Sequence, residues 1–190
     1  MSPYGKIPRP DPCLMELVSR LAREPWTDRP TSVHPVLSAI ARAVHDHSTP
    51  TGRRDLLPLA PRFLDTNCPG FEPAARLVAL CVSTALTAGA RADECRRLAS
   101  AHHTALYLLG SHESPGGAAR WWLPALSRIN CSEPFYRTFI ATEQAAEAVA
   151  VTARTAGDVR LRSLLKLCLA SQSAVRPNPS CSASAQKSWS

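Results

Sequence analysis

Cys95 and His102 lie seven residues apart on one face of an expected helix, with Cys81 on the helix before it. A thiolate and an imidazole are ligands that zinc accepts. Structural zinc sites, however, gather their ligands as close pairs, and the chain has no CxxC or HxxxH. His102 and the adjacent His103 place their rings on different sides of a helix, so at most one of them joins a given site. The expectation is a core cysteine and a surface histidine, with no metal and no cofactor. Glu143 and Glu147 form an i, i+4 carboxylate pair. Di-iron bundles combine such acids with Glu-x-x-His motifs. No ExxH occurs here, and the Ala-rich surroundings fit a solvated helix face. The chain also lacks GxSxG, GxxxxGK[ST], GxGxxG and HExxH, which removes the enzyme classes that a motif identifies.

His45 and Asp46 are adjacent near the end of a helical stretch, with His34, His47, His102, His103 and His112 elsewhere. A His-Asp dipeptide on a helix of an all-α chain resembles the core of the HD phosphohydrolases. That resemblance implies a divalent metal held by His45 and Asp46 that activates water on a phosphoester. The family also carries a His well upstream and a later Asp. Here His34 is only eleven residues before His45, Asp93 is an available acid, and the apolar run followed by Ile-Gly is absent. From the residues alone, the pair is polar decoration at a helix C-terminus, where a protonated imidazole complements the helix dipole.

Two other places carry binding chemistry. Arg120-Trp121-Trp122 follows the Gly-rich stretch Ser111 to Ala118, and Trp and Arg are enriched at binding hot spots. Two large indoles rarely both stay in water, so at least one is expected in the core. Val159 to Leu169 is amphipathic and basic: Leu161, Leu164, Leu165 and Cys168 share an arc, beside Arg160, Arg162 and Lys166. Such a helix reaches an anionic surface, a partner groove or nucleic-acid phosphate, or is the last helix of a bundle with its charged edge in water.

These residues must be positioned by helices. The chain has 190 residues, 45% apolar and 6% aromatic, with Ala and Leu dominant and no convincing strand. That length supports one domain with a real core. Net charge is +7, of which +5 lies from Arg154 onward, so the body is nearly balanced and offers little to a general nucleic-acid coat. Nineteen of 22 cations are Arg, as GC-rich codons produce. The N-terminus has no signal-like apolar run, and Leu77 to Ala88 is the longest uncharged apolar stretch, far short of the ~20 residues that span a bilayer. A cytoplasmic protein without a transmembrane segment is expected. Its seven scattered cysteines should be reduced, and several buried.

Proline and glycine divide the chain. Asp11-Pro12, Ser32 before Pro35, Thr49-Pro50, Glu72-Pro73 and Ser132-Glu133-Pro134 open helices, while Gly89 and Gly110 close them. Leu57 to Leu64, broken by Pro58 and Pro61, predicts a short second piece after Thr49-Pro50. The segment from Glu72 to Ala88, apolar nearly all round, is the candidate central helix. A short helix is expected from Arg120 to Ile129, and Asp158 should cap a last helix to about Ala170. The reading is all-α: a single irregular bundle or stack of six to eight helices over 11–171, with disordered segments at 1–10 and 172–190. The expected function is a non-enzymatic adaptor or regulatory protein that binds another macromolecule, most simply a protein, through Arg120, Trp121 and Trp122 or through Arg160, Arg162 and Lys166. A metal-dependent hydrolase of HD-like type using His45 and Asp46 is one alternative. A DNA-contacting regulator using the basic last helix is another.

Overall fold

The computed structural model describes residues 13–110 and 132–173. These form an all-α bundle of seven helices without strands. They are α1 (Leu14–Leu21), α2 (Pro35–His47), α3 (Pro50–Leu56), α4 (Phe71–Thr87), α5 (Ala92–Leu108), α6 and α7 (Asp158–Ser173). Helix α6 is continuous through Glu133–Phe135, a π-helical turn at Tyr136–Ile140, and Ala141–Thr155. A 3-10 segment, Leu57–Phe63, continues α3, because Pro58 and Pro61 remove amide donors that an α-helix would need. The segments 1–12, 111–131 and 174–190 lie outside the described residues. With them lie the expectations for 1–10, for 174–190, for the Gly-rich stretch and for the helix carrying Arg120, Trp121 and Trp122; Gln172 and Ser173, expected in the disordered tail, are helical.

Helix α4 is the centre, packing against α5, α6, α7 and α2. Its Ala74, Ala75, Leu77, Val78, Cys81, Val82 and Ala85 are fully buried. Alanines at these positions let neighbouring helix backbones approach closely, while Leu37, Ile40, Phe63, Leu161, Leu164 and Leu165 fill the space between. Helices α4 and α5 are joined by a turn in which Gly89 adopts φ +94°, a left-handed conformation that closes α4. No helix among the described residues is long and apolar enough to cross a membrane.

The caps differ in detail from the sequence reading. Helix α1 starts at Leu14, capped by Cys13: its sulfur accepts from the Glu16 amide at 3.4 Å, and Glu16 Oε2 accepts from the Cys13 amide at 3.0 Å. This is a capping box with a thiol in the hydroxyl's place, beginning later than Asp11-Pro12 indicates. His34, not Ser32, caps α2. The residue before a proline is held in extended backbone, and from there His34 Nδ1 accepts from the Val36 amide at 3.3 Å. Gly70 stands at the cap of α4, one residue before Phe71. Helix α7 runs on to Ser173 because Gln172 is buried and its amide donates to Pro73 O at 3.3 Å.

Candidate functional site

The residues proposed for metal chemistry do not converge. His34 is fully buried as a helix cap, and burial, reinforced by nearby Arg137, lowers its pKa to about 4. His45 Nδ1 meets its neighbour Asp46 at 3.4 Å, and Asp46 is largely exposed. His102 Nε2 pairs with Ser83 Oγ at 3.3 Å, and Cys95 Sγ donates to Ala90 O at 3.4 Å. Cys81 does not approach them: its sulfur lies 4.0 Å from Cys168 Sγ, across the α4–α7 contact. No group of three His, Cys, Asp or Glu side chains that could hold a metal occurs among the described residues. Glu143 and Glu147 also part company, Glu147 accepting from Arg97 Nε at 2.8 Å while Glu143 has no ion pair among the described residues.

The basic last helix has two faces. At about 100° per residue, Leu161, Leu164, Leu165, Cys168, Leu169 and Gln172 fall on one arc, and all are buried. The opposite arc carries Arg162, Lys166, Val159, Ser163, Leu167 and Arg160, with Val159 72% and Leu167 57% exposed. Helix α3 runs beside it. Asp158 accepts from the Thr49 amide at 3.1 Å and from the Thr49 hydroxyl, which holds its carboxyl below the usual carboxylate range. One turn on, Arg162 Nη1 meets Asp55 Oδ2 at 3.1 Å. So Asp158, expected as a cap for its own helix, instead clasps the start of α3. The clasp packs α3, which carries exposed Arg53 and Arg54, against α7. Arg53 is fixed by donating to His45 O at 2.9 Å. Arg53 and Arg54 escaped the sequence reading because 107 residues separate Asp55 from Arg162. The only signal was the compact run Arg53-Arg54 itself.

A second region had no sequence signal. Two open cavities, of 680 and 650 Å³, meet at Arg42, Thr142 and Glu143. The first lies among α1, Trp26, α2 and α6; the indole at its wall is half-buried, with the Arg20 guanidinium 5.5 Å from the ring centre. The second lies among the chain from Arg29 to Pro35, α2, Asn67 and the π turn of α6. Arg137, from that turn, donates to Asn67 Oδ1 at 3.3 Å and to Cys68 O at 3.1 Å, and Asn67 Nδ2 donates to Thr31 O at 2.8 Å. This network fixes three chain segments around the cavity. The π turn sends Tyr136 into the core against Phe71, ring centres 5.7 Å apart, and leaves Phe139 60% exposed, stacked on Phe135 at 5.2 Å. Single π turns concentrate at functional sites.

No protein-family model, curated protein or solved structure matches the chain. The two-residue resemblance to HD phosphohydrolases gains no support from those comparisons or from the placement of His34, His45 and Asp46.

Proposed function

We propose that this protein is a non-enzymatic helical adaptor that docks another macromolecule through the outward face of α7 and the adjoining α3. The observation that carries this reading is the clean division of α7. Its core contacts are complete on one arc, yet the other arc presents Val159 and Leu167 to water between Arg162 and Lys166 on one edge and Arg160 on the other. An apolar centre bordered by cations is the layout of a protein interface, with its apolar core and polar rim. A duplex backbone offers phosphates to the arginines but nothing apolar to the centre, so an acidic protein surface fits better than DNA.

A photo-crosslinking side chain placed at Leu167, with Ser100 on exposed α5 as control, tests this in cells. The expected result is a discrete protein adduct at 167 alone that disappears with Arg162→Glu and Lys166→Glu. Adducts to nucleic acid would transfer the face to the DNA-contacting reading. A stoichiometric transition metal lost on His45→Ala would replace both with the metal-dependent hydrolase.

A further inference from the structure

We propose that Cys81 and Cys168 are a covalent modification site: they close into a disulfide when the chain folds beside a low-molecular-weight disulfide oxidant, and folding then seals whichever state was reached. Their sulfurs lie 4.0 Å apart at the contact between α4 and α7. A disulfide needs about 2.05 Å, a closure of about 2 Å that rotation of the two side chains about their Cα–Cβ bonds can supply. Other described cysteines turn their sulfurs to backbone groups: Cys13 Sγ accepts from the Glu16 amide, and Cys95 Sγ donates to Ala90 O. The pair sits on the buried arc of α7, so the proposal does not rest on the docking face.

Folding controls the reaction because it controls access. Cys81 and Cys168 are both fully buried, so a disulfide oxidant reaches neither sulfur in the folded chain. The Cys168 thiol beside it, and then burial, hold the Cys81 thiol well above its ordinary pKa, so the attacking thiolate is also scarce there. In the unfolded chain neither barrier exists. One thiolate attacks the S–S bond of the oxidant, leaving a mixed disulfide and expelling one thiol. As α4 and α7 come together, the second thiolate attacks the protein sulfur of that mixed disulfide and expels the other thiol. Two protein thiols are oxidised, the oxidant is reduced to two thiols, and the two protons pass to them. In a reducing medium the same core closes over free thiols. The cysteines are 87 residues apart, so their bond restricts a long stretch of the unfolded chain and stabilises the fold.

The test refolds the whole reduced chain from urea into a mixture of oxidised and reduced glutathione, blocks free thiols with iodoacetamide, and maps the linked peptides by tandem mass spectrometry. A Cys81–Cys168 link should predominate. Trypsin leaves Cys168 and Cys181 on one peptide, because Arg176 precedes Pro177, so the map is repeated with Cys181→Ala. The linked chain should melt about 5–15 °C above the same chain refolded in dithiothreitol, a comparison that needs no variant. Cys81→Ala should abolish that difference. Added instead to the folded, reduced chain, the same glutathione mixture should form the link at least about a hundredfold more slowly, and low urea should speed it, because the core must open first. Links mainly to other cysteines, a linked form no more stable than the reduced one, or equal rates before and after folding would each overturn the proposal.

Discussion

The outward face of α7 and the cavity beside the π turn solve opposite problems. The α7 face is convex and built mainly from one continuous helix, with α3 added by the Thr49–Asp158 clasp. The cavity is concave and draws on residues from Arg29 to Glu143, supplied by three separate stretches of chain. On α7, position along the helix decides which side chain is buried and which is wet. In the cavity, nothing local decides it, because each wall is a by-product of how α2 and α6 pack. A surface of the first kind tolerates substitution without unfolding, whereas one of the second kind shares its supports with the core.

The sharpest way to break this contrast is to truncate neighbours on α7. Leu165 is fully buried and Leu167 is 57% exposed. Leu165→Ala should cost about 2–5 kcal/mol by urea unfolding, through lost transfer energy and the cavity left behind. Leu167→Ala should stay within about 0.5 kcal/mol and still remove the docking adduct. Similar losses from both would mean that α7 has no free face.

Acid separates the two regions next. His34 stands behind the cavity, between Val33 and Pro35, and is held neutral by burial and by Arg137, with its pKa lowered from 6.5 to about 4. The unfolded chain therefore takes up a proton that the native state refuses. The stability this represents is complete above pH 6.5 and is lost as pH falls toward 4, about 3 kcal/mol in all. His34→Asn, which keeps a capping acceptor for Val36, should flatten that window in urea unfolding measured from pH 7 to 4. Asp158 behaves differently. Its carboxyl is depressed by the Thr49 hydroxyl and amide, so its contribution persists through that window and disappears only below the ordinary carboxylate range. Acid should therefore weaken the cavity side before the α3–α7 clasp.

Legibility in the sequence followed the same division. The buried and exposed arcs of α7 were readable because period 3.6 relates neighbours on one helix, and the central role of α4 was readable from its unbroken apolar character. The capping residues were misplaced where tertiary structure competed. Ser32 is the better cap by residue type, but α2 begins only at Pro35, which leaves Ser32 two residues short of the cap position and fixes His34 in the capping conformation. Asp158 was read as a cap for its own helix, and its real partner is 109 residues away. Neither the π turn nor the exposure of Phe139 has a periodic signature, since one extra residue in a helical turn leaves the composition unchanged. The metal candidates were visible as residue types, and their separation in space was not.

Gly52 gives a prediction whose sign depends on the clasp. Helix propensity alone says that Gly52→Ala stabilises α3. A Cβ at this position would, however, fall inside contact distance of the Asp158 carboxylate, which Thr49 already holds in place. The substitution should therefore lower the melting temperature by about 2–4 °C, as mild overpacking does. The drop should shrink in an Asp158→Ala background, because the clashing group is then gone. A rise in melting temperature in the wild-type background would show that α3 and α7 are not joined in this way.

The smallest effect is the one that protects the docking test. Arg162 and Asp55 form a 3.1 Å ion pair, but their side chains are 36% and 52% exposed, so solvent screens it. Exposed pairs contribute about 0–1 kcal/mol. Arg162→Gln should therefore change unfolding free energy by less than about 1 kcal/mol, and by still less at high salt, since screening has already removed most of the attraction. If the α7 face is a docking surface, the same substitution reduces the adduct at position 167 far more than it reduces stability. A parallel fall in both would show that Arg162 belongs to the structure of the bundle and that the α7 face resembles the cavity after all, as a surface that cannot be altered without loosening what lies behind it.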